Sequence, residues 1–429
     1  MLKQGTVLAV TALLATATAE AQTTDASTAG GFGGTAATAP APSAALSIFD
    51  TDNGARLNTR LGDPLPGLTA DQLALFNSGK ATFQEEENAT EDGLGPVFNN
   101  TSCASCHNVP ATGGGGTTLE TRFGKMSGGK FDPLANEGGS LIQTTGIGVF
   151  PDPNGGPACN YVGELVPADA NVQAGRRTTP LFGFGLVDAV PELELRLLAS
   201  HERLAFPGEA GTVAVVHDIK NNRNAVGRFG WKNQNPNVHQ FSGDAYLNEM
   251  GITNPEFPNE NCPQGDCSLL RCNPVPTLND DGGDVTEFTN FITLLAPPPR
   301  GPTTGSVVHG GQVFRTVGCN HCHTPTLVTG PSPIAAISGK LFHPYSDFLL
   351  HDMGSLGDGI EQPPAGVRLM RTAPLWGVNQ ITSLLHDGRA SSVSDAIQAH
   401  DGQGAQAKRN FNRLSPADKQ ALLDFVNSL

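Results

Sequence analysis

The pattern Cys-x-x-Cys-His occurs twice in this chain, at Cys103–Cys106–His107 and at Cys319–Cys322–His323. In each copy, two thiols three positions apart can form thioether bonds to the two vinyl groups of one haem, and the adjacent imidazole can bind the iron. A thioredoxin-like pair does not require the histidine, and a zinc site needs further ligands at suitable spacing. The motifs therefore predict two covalently bound haem c groups.

The N-terminus has the pattern of a secretory signal. Lys3 precedes an apolar run too short to span a bilayer, and Ala19-Glu20-Ala21 is a small-x-small cleavage site. We therefore expect a signal peptide at residues 1–21 and no membrane span. Export together with the two motifs predicts a periplasmic protein, in a compartment where thiols can be oxidised.

The 429 residues carry a net charge of −15, which argues against binding to nucleic acid, because nucleic acid requires a basic surface. The charge suggests instead a basic partner or a small neutral substrate. The 52 Gly and 32 Pro residues predict long irregular stretches. The expected fold is mainly α with extensive loops and two cytochrome c-like haem domains.

Composition divides the chain into segments. Residues 22–65 are rich in Ala, Thr, Gly, Ser and Pro and predict a linker. Residues 66–295 form the expected N-terminal haem domain with inserted loops, and residues 303–429 the C-terminal haem domain, separated by the stretch LLAPPPRGP.

Local signals predict helices beside both motifs. Thr69 and Gln72 form a capping box ahead of the first motif. Ser394–His400 predicts a helix after the second motif, and Ser415 and Pro416 are suited to the start of a C-terminal helix.

A weak internal repeat supports two haem modules. Each motif is followed by Arg-Thr-x-Pro-Leu-aromatic-Gly, at 177–183 and at 371–377, and each is preceded at five residues by a phenylalanine, Phe98 or Phe314. The agreement between the heptads and the motifs favours duplication.

The remaining cysteines are Cys159, Cys262, Cys267 and Cys272. In an oxidising compartment they predict two disulfides, of which we expect one inside the 262–272 cluster. A metal site is the less favoured alternative, because no histidine accompanies the cluster.

The sixth ligand of each iron distinguishes an electron-transfer haem from a catalytic one. Electron-transfer haems are usually six-coordinate, whereas a haem that activates peroxide needs an open or releasable face. Among the other histidines, His386 and His400 follow the second motif closely. The methionine candidates are Met126, Met250, Met353 and Met370.

Several stretches resemble the di-haem oxidoreductase family, in the superfamily of bacterial di-haem cytochrome c peroxidases. They cover nearly all of residues 68–429 and read GLGPVFNNTSCASCH, RRTTPLFGFGLVDAVPE, GRFGWKNQNP, LNEMGITNP, LLAPPPR, VGCNHCH, SDFLLHDMG, RTAPLWG and LLHDGRA. The resemblance implies reduction of peroxide at the N-terminal haem with electrons passed through the C-terminal haem. Two alternatives stay open, an electron carrier without substrate and a di-haem oxygenase or oxidase that uses dioxygen.

The resemblance also implies a ligand for the second haem. In the peroxidases this ligand is a methionine fourteen residues after the histidine of a Y-F-H-D-G motif. Here His386 takes the place of that histidine, and His400 lies fourteen residues further on. His400 is therefore the expected sixth ligand, and His351 is a further candidate. Two histidine ligands would give this haem a lower reduction potential than a histidine and a methionine.

The first haem is expected to be open. His400 lies 26 residues after Pro374, and the residue 26 after Pro180 is Phe206, which cannot bind iron. His201 supplies a ligand only if the register is shifted.

The same alignment places Glu192 opposite the His386 position. The peroxidases carry an acid–base glutamate in this region, so the resemblance implies Glu192, with Glu194 and Asp188 as alternatives; ordinary surface acids of a helix are the competing interpretation. The peroxidases also place a tryptophan between the haems, a role open to Trp231 or Trp376, although a buried packing role is commoner.

Overall fold

A computed structural model describes residues 59–429, which belong to one compact unit. The predicted signal peptide lies outside the described residues, as does most of the predicted linker. Within the described part of the chain, no helix is long and apolar enough to cross a membrane. The helices are α1 (Ala70–Phe83), α2 (Cys103–Cys106), α3 (Phe184–Asp188), α4 (Glu192–Ala205), α5 (Val238–Met250), α6 (Gly283–Leu294), α7 (Gly305–Val317), α8 (Val393–Ala399), α9 (Ala405–Asn412) and α10 (Pro416–Asn427).

Short antiparallel sheets occupy much of the remaining chain, so the expectation of a mainly α fold was right only in part. With the 3₁₀ turns included, helix accounts for about 34% of the described residues and strand for about 16%. The strands pair as β1–β4, β3–β2–β7, β5–β6, β8–β9, β10–β11 and β12–β13. Their bounds are β1 (Val97–Phe98), β2 (Leu119–Ser127), β3 (Lys130–Asp132), β4 (Thr145–Gly146), β5 (Gly148–Phe150), β6 (Cys159–Tyr161), β7 (Val172–Arg177), β8 (Ala214–Asp218), β9 (Arg223–Gly227), β10 (Leu327–Val328), β11 (Leu341–Phe342), β12 (Leu350–Asp352) and β13 (Leu369–Arg371).

The predicted helix starts are confirmed. Thr69 accepts from the Gln72 backbone N–H, and the Gln72 side chain accepts from the Thr69 N–H in return. Ser415 caps α10 through the N–H of Asp418. Helix α8 begins one residue earlier than Ser394, because Ser392 caps it.

Two crossing helix pairs form the framework of the two halves. Helix α1 packs on α6, where Gly79 allows the backbones to touch: a Cβ at this position would lie 2.2 Å from the Glu287 carbonyl oxygen. Helix α7 packs on α10 in the same way, with the Phe314 and Phe425 rings 5.2 Å apart. In each half the Cys-x-x-Cys-His segment follows the first helix of its pair.

The predicted boundary near residue 300 stays a prediction, although the buried side chains fall into two main clusters. The larger is mostly built from the N-terminal half and also includes Phe342 and Phe348, while the second lies within residues 307–429. The larger core also includes the last residue of the predicted linker, because Leu65 is buried and its neighbour Pro64 pairs with Leu295.

Both disulfides are present and one lies inside the cysteine cluster, as expected. Cys262 is joined to Cys267 and Cys159 to Cys272. The second bridge ties β6 to the Cys267–Cys272 turn across 113 residues, whereas the first closes a loop of five.

The unequal loops predict unequal stabilisation. Because loop-closure entropy grows with loop length, replacing Cys159 and Cys272 by Ser should lower the free energy of unfolding by about 5 kcal/mol, against about 2 kcal/mol for Cys262 and Cys267. Urea unfolding under non-reducing conditions measures both. Equal losses in the two double variants would contradict the loop-length explanation.

Candidate functional site

The first motif forms a single helical turn, α2, capped by the Ser102 side chain. At its end, the His107 Nδ1–H donates to the carbonyl oxygen of Gly114 at 3.0 Å. This bond fixes the imidazole and directs Nε2 away from the loop. Burial lowers the pKa of His107 to about 4, so the ring stays neutral and able to bind a metal.

The second motif holds a pair of facing imidazoles. The His323 Nδ1–H donates to the Tyr345 carbonyl oxygen at 2.9 Å, and the His400 Nδ1–H donates to the Ala396 carbonyl oxygen at 2.7 Å. Both Nε2 atoms are thus left for a metal. The ring centroids lie 6.4 Å apart, which fits two imidazoles on opposite sides of one metal atom, because each metal–nitrogen bond is roughly 2 Å and the ring radii make up the rest.

Both motifs open into cavities of suitable chemistry for haem. The first cavity, around Cys103, Cys106 and His107, has about 1160 Å³ of open space, and the second, around Cys319, Cys322 and His323, about 1680 Å³. The four motif cysteines are free thiols, while the other four cysteines are paired with each other. The thiols, oriented imidazoles and largely apolar walls fit one haem in each cavity.

His351 and His386 also line the second cavity, but each has another partner. His351 Nε2 lies 2.9 Å from a buried Asp347 carboxylate oxygen. Burial disfavours its charged form, but Asp347 outweighs burial and raises the pKa of His351 well above its usual value. A protonated imidazole is a poor iron ligand. His386 packs edge-on against Trp231 with ring centroids 6.2 Å apart. His400 is therefore the candidate best placed opposite His323.

The first cavity has a different lining. Among its described residues the one histidine is His107 itself, and Met250 is the one methionine. His201 does not line it: this side chain is exposed on α4 and its ring contacts Phe206. The polar side chains around this cavity include those of Asn99, Asn100, Gln234 and Arg176.

The first cavity is lined by two acids that were not predicted from the sequence. They are Glu249 near the end of α5 and Glu120 in β2. Glu249 accepts from Asn99 Nδ2 at 2.8 Å, and burial raises the pKa of Glu249 to about 7. Glu120 is paired with Arg122. Glu249 lies within LNEMGITNP, a stretch that already carried the family resemblance, and this was the one available signal.

The predicted acids lie elsewhere. Glu192 pairs with Arg223 at 2.6 Å and accepts from the Val226 N–H, while Glu194 is exposed. Asp188 is held beside Arg228, although burial raises its pKa to about 6. Because none of the three lines either cavity, their acid–base role stays a prediction that this arrangement does not support.

Three residues line both cavities, and together they form what we call the shared wall: Arg177, Thr179 and Trp231. The Trp231 Nε1–H donates to the Arg177 carbonyl oxygen at 3.0 Å. On the other side, Arg371 donates its backbone N–H to the Trp231 carbonyl oxygen at 2.9 Å. Trp376 lines the second cavity alone, so Trp231 is the better-placed candidate for a relay.

A family model described as "Di-haem oxidoreductase, putative peroxidase" matches residues 40–123 and 158–429. Among solved structures, the chain is similar to the diheme peroxidase BthA from Burkholderia thailandensis (16% identity, 84% of this chain and 86% of that chain, TM-score 0.38). It is also similar to a MauG-like protein associated with microbial copper homeostasis (11%, 87% and 95%, TM-score 0.36) and to hydrazine synthase from Kuenenia stuttgartiensis (13%, 85% and 90%, TM-score 0.39). No curated protein matches the chain.

The facing imidazoles predict the effect of removing one. His400→Ala should convert one low-spin haem to a high-spin or water-ligated form. His400→Met should keep that haem low-spin and raise its potential, because thioether sulfur favours ferrous iron relative to imidazole. Optical and EPR spectra of the purified protein measure both effects.

His386→Ala is the matched control, since His386 lines the same cavity without facing His323. Its low-spin signal should persist. A loss of this signal in His386→Ala, with none in His400→Ala, would exchange the two roles.

Proposed function

Because the chain belongs to the di-haem oxidoreductase family, we propose that it is a periplasmic, peroxidase-like di-haem enzyme with two covalently bound haem c groups. Hydrogen peroxide would be reduced in the first cavity, with electrons entering through the second. When bound, the haems would supply iron that accepts and passes on single electrons.

The observation that carries the proposal is the unequal lining of the two cavities. His323 and His400 face each other in the second, which suits a six-coordinate electron-transfer site. The first cavity offers His107 and, among its described residues, Met250 but no second histidine. This difference favours division of labour between an electron-transfer site and an open, reactive site over two equivalent electron carriers.

Glu249 is the residue we assign to proton transfer. Reduction of hydrogen peroxide to two waters consumes two electrons and two protons. A carboxylate beside the peroxide takes the proton from one oxygen and returns it to the other as the O–O bond breaks. With its pKa raised to about 7 by burial, Glu249 is matched to this exchange near neutral pH.

Trp231 lies where electrons would pass between the sites, since it belongs to the shared wall. The proposed electron donor is a small, basic redox protein, because the chain has a net charge of −15. Opposite charge would speed the encounter most at low ionic strength.

Covalent attachment predicts a countable cofactor. A pyridine haemochrome assay on the purified holoprotein should give two haems per chain, and a denaturing gel should retain the haem stain. Replacing Cys103 and Cys106 by Ala should leave one, because the thioether bonds of the first motif are lost. A count that stays at two would contradict the assignment.

Proton transfer by Glu249 predicts both a rate and a pH profile. Glu249→Gln should lower peroxide turnover with a reduced cytochrome c by about 10²–10⁴-fold. In the unmodified enzyme kcat/KM should rise as pH increases through about 7, because only the deprotonated carboxylate accepts the proton. This rise of kcat/KM with pH should be absent from Glu249→Gln.

Glu192→Gln is the matched control and should keep full turnover, because Glu192 is paired with Arg223 away from both cavities. Loss of turnover in Glu192→Gln, with full activity in Glu249→Gln, would restore the assignment drawn from the sequence. An unmodified protein inactive with peroxide would favour the electron-carrier or dioxygen alternatives, which turnover with dioxygen then separates.

A further inference from the structure

Two buried arginines in the cavity walls form no ion pair with a carboxylate of residues 59–429. Arg177 belongs to the shared wall, and its Nε is buried without a hydrogen-bond partner. Arg371 lines the second cavity; its Nε and Nη1 donate to the carbonyl oxygens of Gly230 and Thr372, while its Nη2 is buried without a hydrogen-bond partner. Both side chains are less than a tenth exposed. A buried cation without an ion-pair partner is costly, so these positions favour a bound anion.

Two neighbouring arginines, in contrast, are paired with carboxylates. Arg176 is paired with Asp358, and Arg122 with Glu120. Burial lowers the pKa of Arg177, and no carboxylate among the described residues opposes this effect. Burial likewise lowers the pKa of Arg371 to about 10, against a weaker opposing effect of Asp347.

The two arginines occupy the same place in the internal repeat. Each is the first residue of Arg-Thr-x-Pro-Leu-aromatic-Gly, and each ends a strand, β7 for Arg177 and β13 for Arg371. One such arginine therefore follows each Cys-x-x-Cys-His motif. This correspondence argues for a function tied to the haem of each module, since chance burial would not respect the repeat.

The guanidinium of Arg177 lies beside the loop that orients the first imidazole. A Cβ at Gly115 would come within 3.1 Å of Arg177 Nη2, and the adjacent Gly114 carbonyl oxygen accepts from His107. The absence of a side chain at position 115 leaves room for the guanidinium at the edge of the first cavity. Because Arg177 belongs to the shared wall, it also borders the second cavity.

We propose that Arg177 and Arg371 bind the propionate carboxylates of the haems, and that Arg177 is an anchor shared by both haems. The planar guanidinium forms paired, charge-assisted hydrogen bonds with carboxylates, and one group can serve two acceptors. The inference rests on the two haems of the proposed function, but it does not depend on turnover with peroxide.

The test is a spectroelectrochemical titration of the haem-loaded full chain, in which the two haems are resolved by their spin states. Arg177→Gln should lower both midpoint potentials, because removing a nearby positive charge favours ferric over ferrous iron. Arg371→Gln should lower the potential of the second haem alone. Arg223→Gln, which alters an exposed arginine paired with Glu192, should change neither.

Arg177→Lys covers the case in which Arg177→Gln accumulates poorly. It keeps the charge, so both potentials should stay near those of the unmodified protein, while the resonance Raman propionate-bending bands shift because the paired hydrogen bonds are lost. Two haems per chain with both potentials and these bands unchanged would overturn the proposal. A change at one haem alone in Arg177→Gln would overturn the shared anchor. A chain that carries no haem would contradict the proposed function rather than this inference, and the haemochrome count identifies that outcome.

Discussion

Asp358 accepts from two cations in a region that excludes nearly all solvent. Its carboxylate lies 2.6 Å from Arg176 Nη2 and 2.8 Å from Lys232 Nζ, and the three side chains are at most 2% exposed. Burial alone would raise the pKa of Asp358, but the two cations hold it below its usual value. Removing one partner of such a group typically costs about 3–5 kcal/mol, because an unpaired charge is left buried.

This ion cluster positions the wall between the cavities, because its members come from distant parts of the chain. Arg176 precedes Arg177 in β7, and Lys232 follows Trp231, while Asp358 comes from the C-terminal half. Fixing Arg176 and Lys232 therefore fixes the backbone of their neighbours. The hydrogen bond from Trp231 to the Arg177 carbonyl can then hold the indole between the two sites. The geometry of both cavities depends on this shared support.

Local chemistry made part of the site readable in the sequence. Each Cys-x-x-Cys-His motif acts within one turn, so a short-range pattern identifies it. His400 is predicted from the family resemblance, through its spacing of fourteen residues from His386. The acid of the first cavity has no such pattern. Aligning the repeat without gaps led to Glu192, but the hairpin β8–β9 and helix α5 have no counterpart in that alignment. Glu249 reaches the cavity only through the packing of α5, which no spacing rule in this chain encodes.

Alternation along a strand explains why adjacent arginines have opposite fates. Successive side chains of a strand point to opposite faces, so when Arg176 in β7 turns toward Asp358, Arg177 must turn away from it. Arg176 is neutralised by Asp358, although it also lines the first cavity. Arg177 lies in the shared wall without a carboxylate partner among the described residues, and its proposed partner is a haem propionate. In β13 the position equivalent to Arg176 is the hydrophobic Met370, so Arg371, which is equivalent to Arg177, is the one charged residue of the pair. A single strand end can thus supply both the support of the site and its affinity for an anionic cofactor.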